Sequence, residues 1–187
     1  AGLSAGNFQA FAQEFDFSRY KTLCDVGGAN ALLSIIVAQA HPHMRCLSTD
    51  LPAPTAIAAR KIQAAGLADR VSAQSLDFLK DPLPRADVIT MGMILHDWNL
   101  EKKMQLVTAA YEALPAGGAF VAIENIIDDA RRENAFGLMM SLNMLIEFGD
   151  AFDFTGADFA RWCREVGFRE TQIMPLAGHA SAAIAYK

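Results

Sequence analysis

Glycine and acid recur where short apolar runs of this chain end. Thr22 to Val26 (TLCDV) runs into Gly27-Gly28, the next such run ends near Asp50-Leu51, and a third is followed by Asp77-Phe78. Glycine at a strand end lets backbone approach a ligand closely. A carboxylate after the second strand can accept hydrogen bonds from both hydroxyls of a ribose, which serves any adenosine-bearing cofactor. A carboxylate beside an aromatic face can hydrogen-bond an adenine amino group and cover the ring. Each feature has a plainer reading as well: a tight turn, a solvated loop carboxylate, a capped turn before Pro82. The full G-x-G-x-x-G fingerprint is absent, because Ala29, Asn30 and Ala31 follow Gly28, so a pyrophosphate at that helix start is disfavoured. Further on, Met91 to Trp98 (MGMILHDW) places His96-Asp97 just before a helix. An imidazole of ordinary pKa ~6.5 there can take a proton at neutral pH or simply cap the helix beginning near Asn99.

The elements that must hold these residues alternate. An amphipathic helix with Phe8, Phe11, Ala12 and Phe15 at helical spacing opens the chain. Strands are expected at Thr22 to Val26, Met44 to Ser48, Val71 to Gln74, Asp87 to Met91 and Ala119 to Ile123. Helices are expected at Ala29 to Ala40 (Leu32, Leu33, Ile36 and Val37 inward), from the Pro52/Pro54 pair to about Ala65, and at Leu100 to Leu114. A charged loop from Asn125 to Arg132 leads to a helix near Asn134 to Phe148. Thr155 is expected to cap a helix through Val166, stopped by Gly167. Phe168 to Ile173 and Ala182 to Tyr186, joined by a short Pro/Gly segment, form an antiparallel hairpin. Strand–helix alternation predicts a single α/β domain over residues 1–187, a doubly wound, mostly parallel sheet of seven strands closed by that hairpin.

Composition narrows the function. The net charge is -5 and Lys and Arg are not clustered, which argues against a nucleic-acid partner. No apolar run reaches membrane-spanning length. Cys24, Cys46 and Cys163 are far apart and unpatterned, which fits a reducing compartment, by default the cytoplasm, and neither a disulfide framework nor a metal site. His41, His43 and His179 are expected at the surface. Ala1-Gly2-Leu3-Ser4 lacks an initiator Met and resembles no signal peptide, which points to a domain cut from a longer protein.

DVGGANALL, STDLP, SLDFLKDPLP, ADVITMGMILHDW, LPAGGAF and VAIEN together resemble the S-adenosylmethionine-dependent O-methyltransferases of small molecules, a family of plant caffeic acid, hydroxyindole and bacterial tailoring enzymes. HDW after an ADV strand is the most specific element, and the resemblance covers nearly all of the chain. It implies the class I methyltransferase (Rossmann-like) sheet, with the last strand inserted antiparallel. It places Gly27 against the methionine part of S-adenosylmethionine, with Gly28 in the same turn. Asp50 and Leu51 fall at the ribose, and Asp77 and Phe78 flank the adenine. Gly92 belongs to the same cofactor site but stands where plant members carry lysine, and Ala29 and Ala31 replace usual glycines. His96 becomes the general base, with Glu124 and Asp153 as flanking carboxylates. Asp153 stands where plant members carry Glu. Met93, Asp97 and Met144 fall at a small aromatic substrate. A phenol of pKa ~10 is mostly protonated at neutral pH, and general-base catalysis is worth roughly 10²–10⁴ in rate.

Met139, Met140 and Met144 share one helix, and thioethers suit flat aromatic ligands, though such a helix is also ordinary core or interface. The family carries an N-terminal helical domain that dimerises and closes the pocket. Its absence here implies an exposed apolar face, with the helix near Met139 as candidate, and a homodimeric full-length protein. The competing readings are a relative diverged to decarboxylation or hydroxylation, an NAD-dependent oxidoreductase, and a non-catalytic cofactor-fold domain.

Overall fold

The apolar residues of the central strands are divided between a hydrophobic layer on each face of the sheet. In the strand Ala119–Glu124 (β5), Ala119, Val121 and Ile123 enter one buried cluster and Phe120 and Ala122 the opposite one. Such two-sided burial makes parallel strands read as unbroken apolar runs. The computed structural model describes residues 2–187. Its other strands are Thr22–Val26 (β1), Arg45–Asp50 (β2), Val71–Ser75 (β3), Val88–Gly92 (β4), Glu170–Pro175 (β6) and Ser181–Tyr186 (β7). They form one seven-stranded sheet in the order β3-β2-β1-β4-β5-β7-β6. The first five strands run parallel, and β7 pairs antiparallel with both β5 and β6. The antiparallel insertion expected of the last strand is therefore present.

Helices Gly2–Glu14 (α1), Leu32–Ala40 (α2) and Pro52–Ala64 (α3) cover one face. Leu100–Ala113 (α4) and Gly156–Val166 (α6) cover the other, and Ala135–Phe148 (α5) lies near the site. Each fully buried Phe or Leu in these clusters contributes on the order of 2 kcal/mol. Thr155 caps α6 as expected, its hydroxyl accepting from the Asp158 N–H at 3.1 Å, and Gly167 ends the helix in the left-handed region.

The structure corrects several boundaries. α2 starts at Leu32 rather than Ala29, because Ala29 (φ 48°) and Ala31 (φ 61°) are in left-handed conformations. Its buried side chains are Leu33, Ser34, Ile35, Val37 and Ala38, with Leu32 and Ile36 only half-buried. The terminal hairpin is shifted toward the chain end by about two residues in its first strand. His41 is not a free surface residue: it is half-buried, with Nε2 2.7 Å from the Ala12 carbonyl.

Candidate active site

Strand order reverses between β1 and β4, the switch point where doubly wound sheets bind ligands beyond their carboxyl ends. There a cleft of about 220 Å³ is lined by Phe8, Asp25, Gly27, Gly28, Ala29, Asn30, Leu32, Gly92 and Met93. Two of its glycines are required by space. A Cβ on Gly27 (φ 70°) would fall 2.3 Å from Ile94 Cδ1, and one on Gly28 2.3 Å from Ser48 Oγ and 2.6 Å from Asp25 Oδ2. Asp25 thus plugs the floor of the glycine turn. Its Oδ1 accepts from the Thr90 hydroxyl at 2.9 Å, and burial, helped by Asp50, pushes its carboxyl up to about 7 against that hydrogen bond.

Asp50 ends β2 and ties the loops together. Its Oδ2 accepts from the Ala29 N–H at 2.9 Å and its Oδ1 from the Leu51 N–H at 2.7 Å. Each oxygen keeps a second lone pair for a ligand hydroxyl. The Leu51 side chain is about half exposed. Phe78 is half-buried and leans toward the same loop, with a ring carbon 3.6 Å from where a Gly27 Cβ would stand. Asp77 is already engaged, paired with Lys80 at 2.7 Å and accepting from the Leu79 N–H at 3.2 Å. Its carboxyl is held below the usual range by the Lys80 contact first and the Leu79 bond second. Gly92 lies beneath Phe8, whose ring would be 3.3 Å from a Cβ there.

Beyond Gly92 the backbone turns sharply. Met93 adopts φ 57°, a conformation costing of order 1–3 kcal/mol for a residue with a side chain, and its N–H donates to the Ile123 carbonyl at 2.9 Å. Leu95–Asp97 then forms a 3₁₀ turn. Glu124, at the tip of β5, holds that turn: one oxygen, Oε1, accepts from the N–H groups of Ile94 (3.1 Å) and Leu95 (2.9 Å). Its other oxygen lies 3.2 Å from His96 Nδ1, and Asp153 Oδ1 lies 3.5 Å from the same nitrogen. Neither contact is aligned as a hydrogen bond. His96 Nε2 lies 3.1 Å from Asp97 Oδ1 on the more open side. The helix cap at this point is supplied by Asn99, which accepts from the Lys102 N–H, so His96 is left free of that duty.

His96, Glu124 and Asp153 are all buried. Burial alone would lower the His96 ring; the carboxylates of Asp153, Asp97 and Glu124 outweigh it and raise it well above its ordinary value. Burial, with Asp153 adding, pushes Glu124 up, against His96 and the two backbone N–H groups. One donor atom from each of the three side chains lies within 4.8 Å of the others. Both ring nitrogens face carboxylates, however, which is the setting of a ring carrying protons, not of one giving a lone pair to a metal.

Met144 is buried on the inward side of α5, which packs against the His96 turn. Phe136, Met139, Leu142, Leu145, Ile146 and Phe148 of the same segment are exposed, Ile146 to 73%. Asp25, Thr90, Ile94 and Lys103 also support the site, and none of the motifs assigns them a role. Lys103 had a legible signal: it shares a helical stripe with Leu106, Val107, Ala110 and Ala113, all buried.

A family model described as an O-methyltransferase domain matches residues 7–169. The chain belongs to the O-methyltransferase domain family. Among its relatives, the tetracenomycin polyketide synthesis 8-O-methyl transferase TcmO of Streptomyces glaucescens is 34% identical over 185 residues, 99% of this chain and 55% of that protein. The N,N-dimethyltransferase OxyT of Streptomyces rimosus is 35% identical over 164 residues, 88% of this chain and 47% of that protein. The crystal structure of human N-acetylserotonin methyltransferase in complex with S-adenosylmethionine superposes with a TM-score of 0.88 at 28% identity, covering 97% of this O-methyltransferase domain and 51% of that chain. The domain spans about half the length of the relatives it matches.

Proposed function

We propose that this domain binds S-adenosylmethionine at the β1/β4 switch point and transfers its methyl group to a hydroxyl of a small aromatic or polyketide-like acceptor. The observation that carries this reading is the buried His96–Glu124–Asp153 cluster, hung on the turn that directly follows the cleft-lining Gly92 and Met93. Gly27 and Gly28 are assigned to the methionine end of the cofactor, Asp50 and Leu51 to the ribose, Phe78 with Asp77 to the adenine, and Gly92 to the cleft floor. The fit rests on a cleft lined by the backbone of two glycines and on Asp50 lone pairs beside it. When bound, S-adenosylmethionine supplies an electrophilic methyl on a sulfonium sulfur.

The chain's own part is to hold the acceptor and manage its proton. Glu124 fixes the His96 turn and, with Asp153, keeps the ring's Nδ1 side protonated. Nε2 is then the basic nitrogen, and an acceptor hydroxyl must take the place beside it now held by partly exposed Asp97. Met93, Asp97 and Met144 are assigned to the acceptor. Placing the oxygen in line supplies much of the rate beyond proton removal. Methylation of nitrogen is a second reading, favoured by the OxyT likeness.

In the same reading, a further region of the full-length protein covers the exposed apolar face of α5 and joins two copies into a homodimer. The exposures along α5 and the half-length match support it. A cytoplasmic setting is supported by three free, buried cysteines, and among the described residues no helix is long and apolar enough to cross a membrane. The test is calorimetric titration with S-adenosylhomocysteine and with NADH, followed by labelled S-adenosylmethionine against phenolic and amine acceptors. Binding of S-adenosylhomocysteine with label transfer to a phenol is expected; binding of NADH alone would overturn the assignment.

A further inference from the structure

Among the described residues Lys103 is the only buried lysine or arginine, and it is fully buried. An ammonium in that position costs several kcal/mol unless it is compensated, so its surroundings must account for it. Its Nζ donates to the Trp98 carbonyl and sits 3.7 Å from the centroid of the Phe152 ring. Trp98 follows His96-Asp97, and Phe152 precedes Asp153. From the inner face of α4, Lys103 therefore reaches both segments that carry the histidine and its second carboxylate.

Charge counting gives the arrangement a purpose. The buried acids beside the imidazole are Glu124 and Asp153, with Asp97 at the rim, and all three face the ring. With the ring protonated, two buried basic groups lie on the segments around two buried carboxyl groups. A charge on Lys103 offsets the same carboxylates that hold the proton on the ring. We propose that Lys103 is a positioning residue whose buried ammonium partly offsets Glu124 and Asp153, easing the release of the proton that these carboxylates hold on His96. The proposal rests on the methyl-transfer reading above. The groups bearing on Lys103 itself are Glu124, Asp153, Asp97 and Asp150, whose attraction opposes the burial that pushes its ammonium down to about 8.

The test uses Lys103→Met, Lys103→Gln and Lys103→Arg in the full-length protein. Glutamine can still donate to the Trp98 carbonyl but carries no charge, so it separates charge from packing. The first readout is an NMR pH titration of the His96 ring with S-adenosylhomocysteine bound, which needs no turnover. Both neutral variants should titrate about one pH unit or more higher than the parent. The acid limb of kcat/KM should follow, with about a tenfold loss at pH 7, and arginine should restore activity to within about threefold. A His96 titration unmoved in Lys103→Gln, or a loss of the same factor at every pH, would overturn the proposal. Absence of methyl transfer by the parent protein would instead remove the reading it rests on.

Discussion

Glu124 divides its carboxylate between the backbone that carries His96 and the ring itself. Oε1 takes the Ile94 and Leu95 N–H groups, while Oε2 lies 3.2 Å from His96 Nδ1. One buried side chain thus holds the turn that carries the imidazole and sets a carboxylate oxygen against its Nδ1.

These two duties separate by mutation. Glu124→Ala leaves the buried Leu95 N–H and the half-buried Ile94 N–H without an acceptor and should cost about 2–4 kcal/mol of stability. Glu124→Gln can keep the backbone bonds through its carbonyl oxygen. Its NH₂ then faces Nδ1, which moves the ring proton to Nε2 and disables the base. Near-parental melting with kcat reduced by roughly 10²-fold or more is expected for glutamine, measured by calorimetry and steady-state kinetics. Equal activity of glutamine and parent would contradict the division of labour.

Asp25 gives a pH dependence of stability. Its folded carboxyl, pushed up to about 7, binds a proton more tightly than the unfolded chain does at 3.8. Its contribution is therefore fully present below pH ~4 and lost as pH rises through about 7. Asp25→Asn should flatten the fall in Tm across that window, with Thr90 still donating to the amide oxygen. A Tm–pH curve of parental shape in the variant would show that Asp25 is ionised at little cost.

Ala29, exposed and at φ 48°, holds a conformation suited to glycine. Ala29→Gly should raise unfolding free energy by roughly 0.5–1 kcal/mol, the relief of strain exceeding the entropy of the freer unfolded chain. Denaturant unfolding reads this directly, and a lower midpoint in glycine would mean that the loop relaxes in solution.

The alternation of strands and helices is legible because each central strand is buried on both faces and α4 and α6 carry caps at Asn99, Thr155 and Gly167. The start of α2 was misread because Ala29 and Ala31 are good helix formers whose left-handed conformations are imposed by the loop between β1 and α2. The cleft-lining glycines and His96 were found by motif and resemblance. Their support was hidden, since a Glu124 oxygen on two N–H groups of a distant turn leaves no local pattern. Lys103 was passed over because a lysine in a helix is ordinarily solvated; only its place in the stripe with Leu106 and Val107 marked it.

The role proposed for His96 is to remove the acceptor's proton as the methyl is transferred. His96→Ala should therefore be compared with the parent on two acceptors of one shape: a phenol of pKa ~10 and an acidified analogue whose hydroxyl is already ionised at the assay pH. A loss of roughly 10²–10⁴ in kcat/KM is expected on the first and little loss on the second, with S-adenosylhomocysteine affinity retained. Equal losses on both acceptors would contradict it.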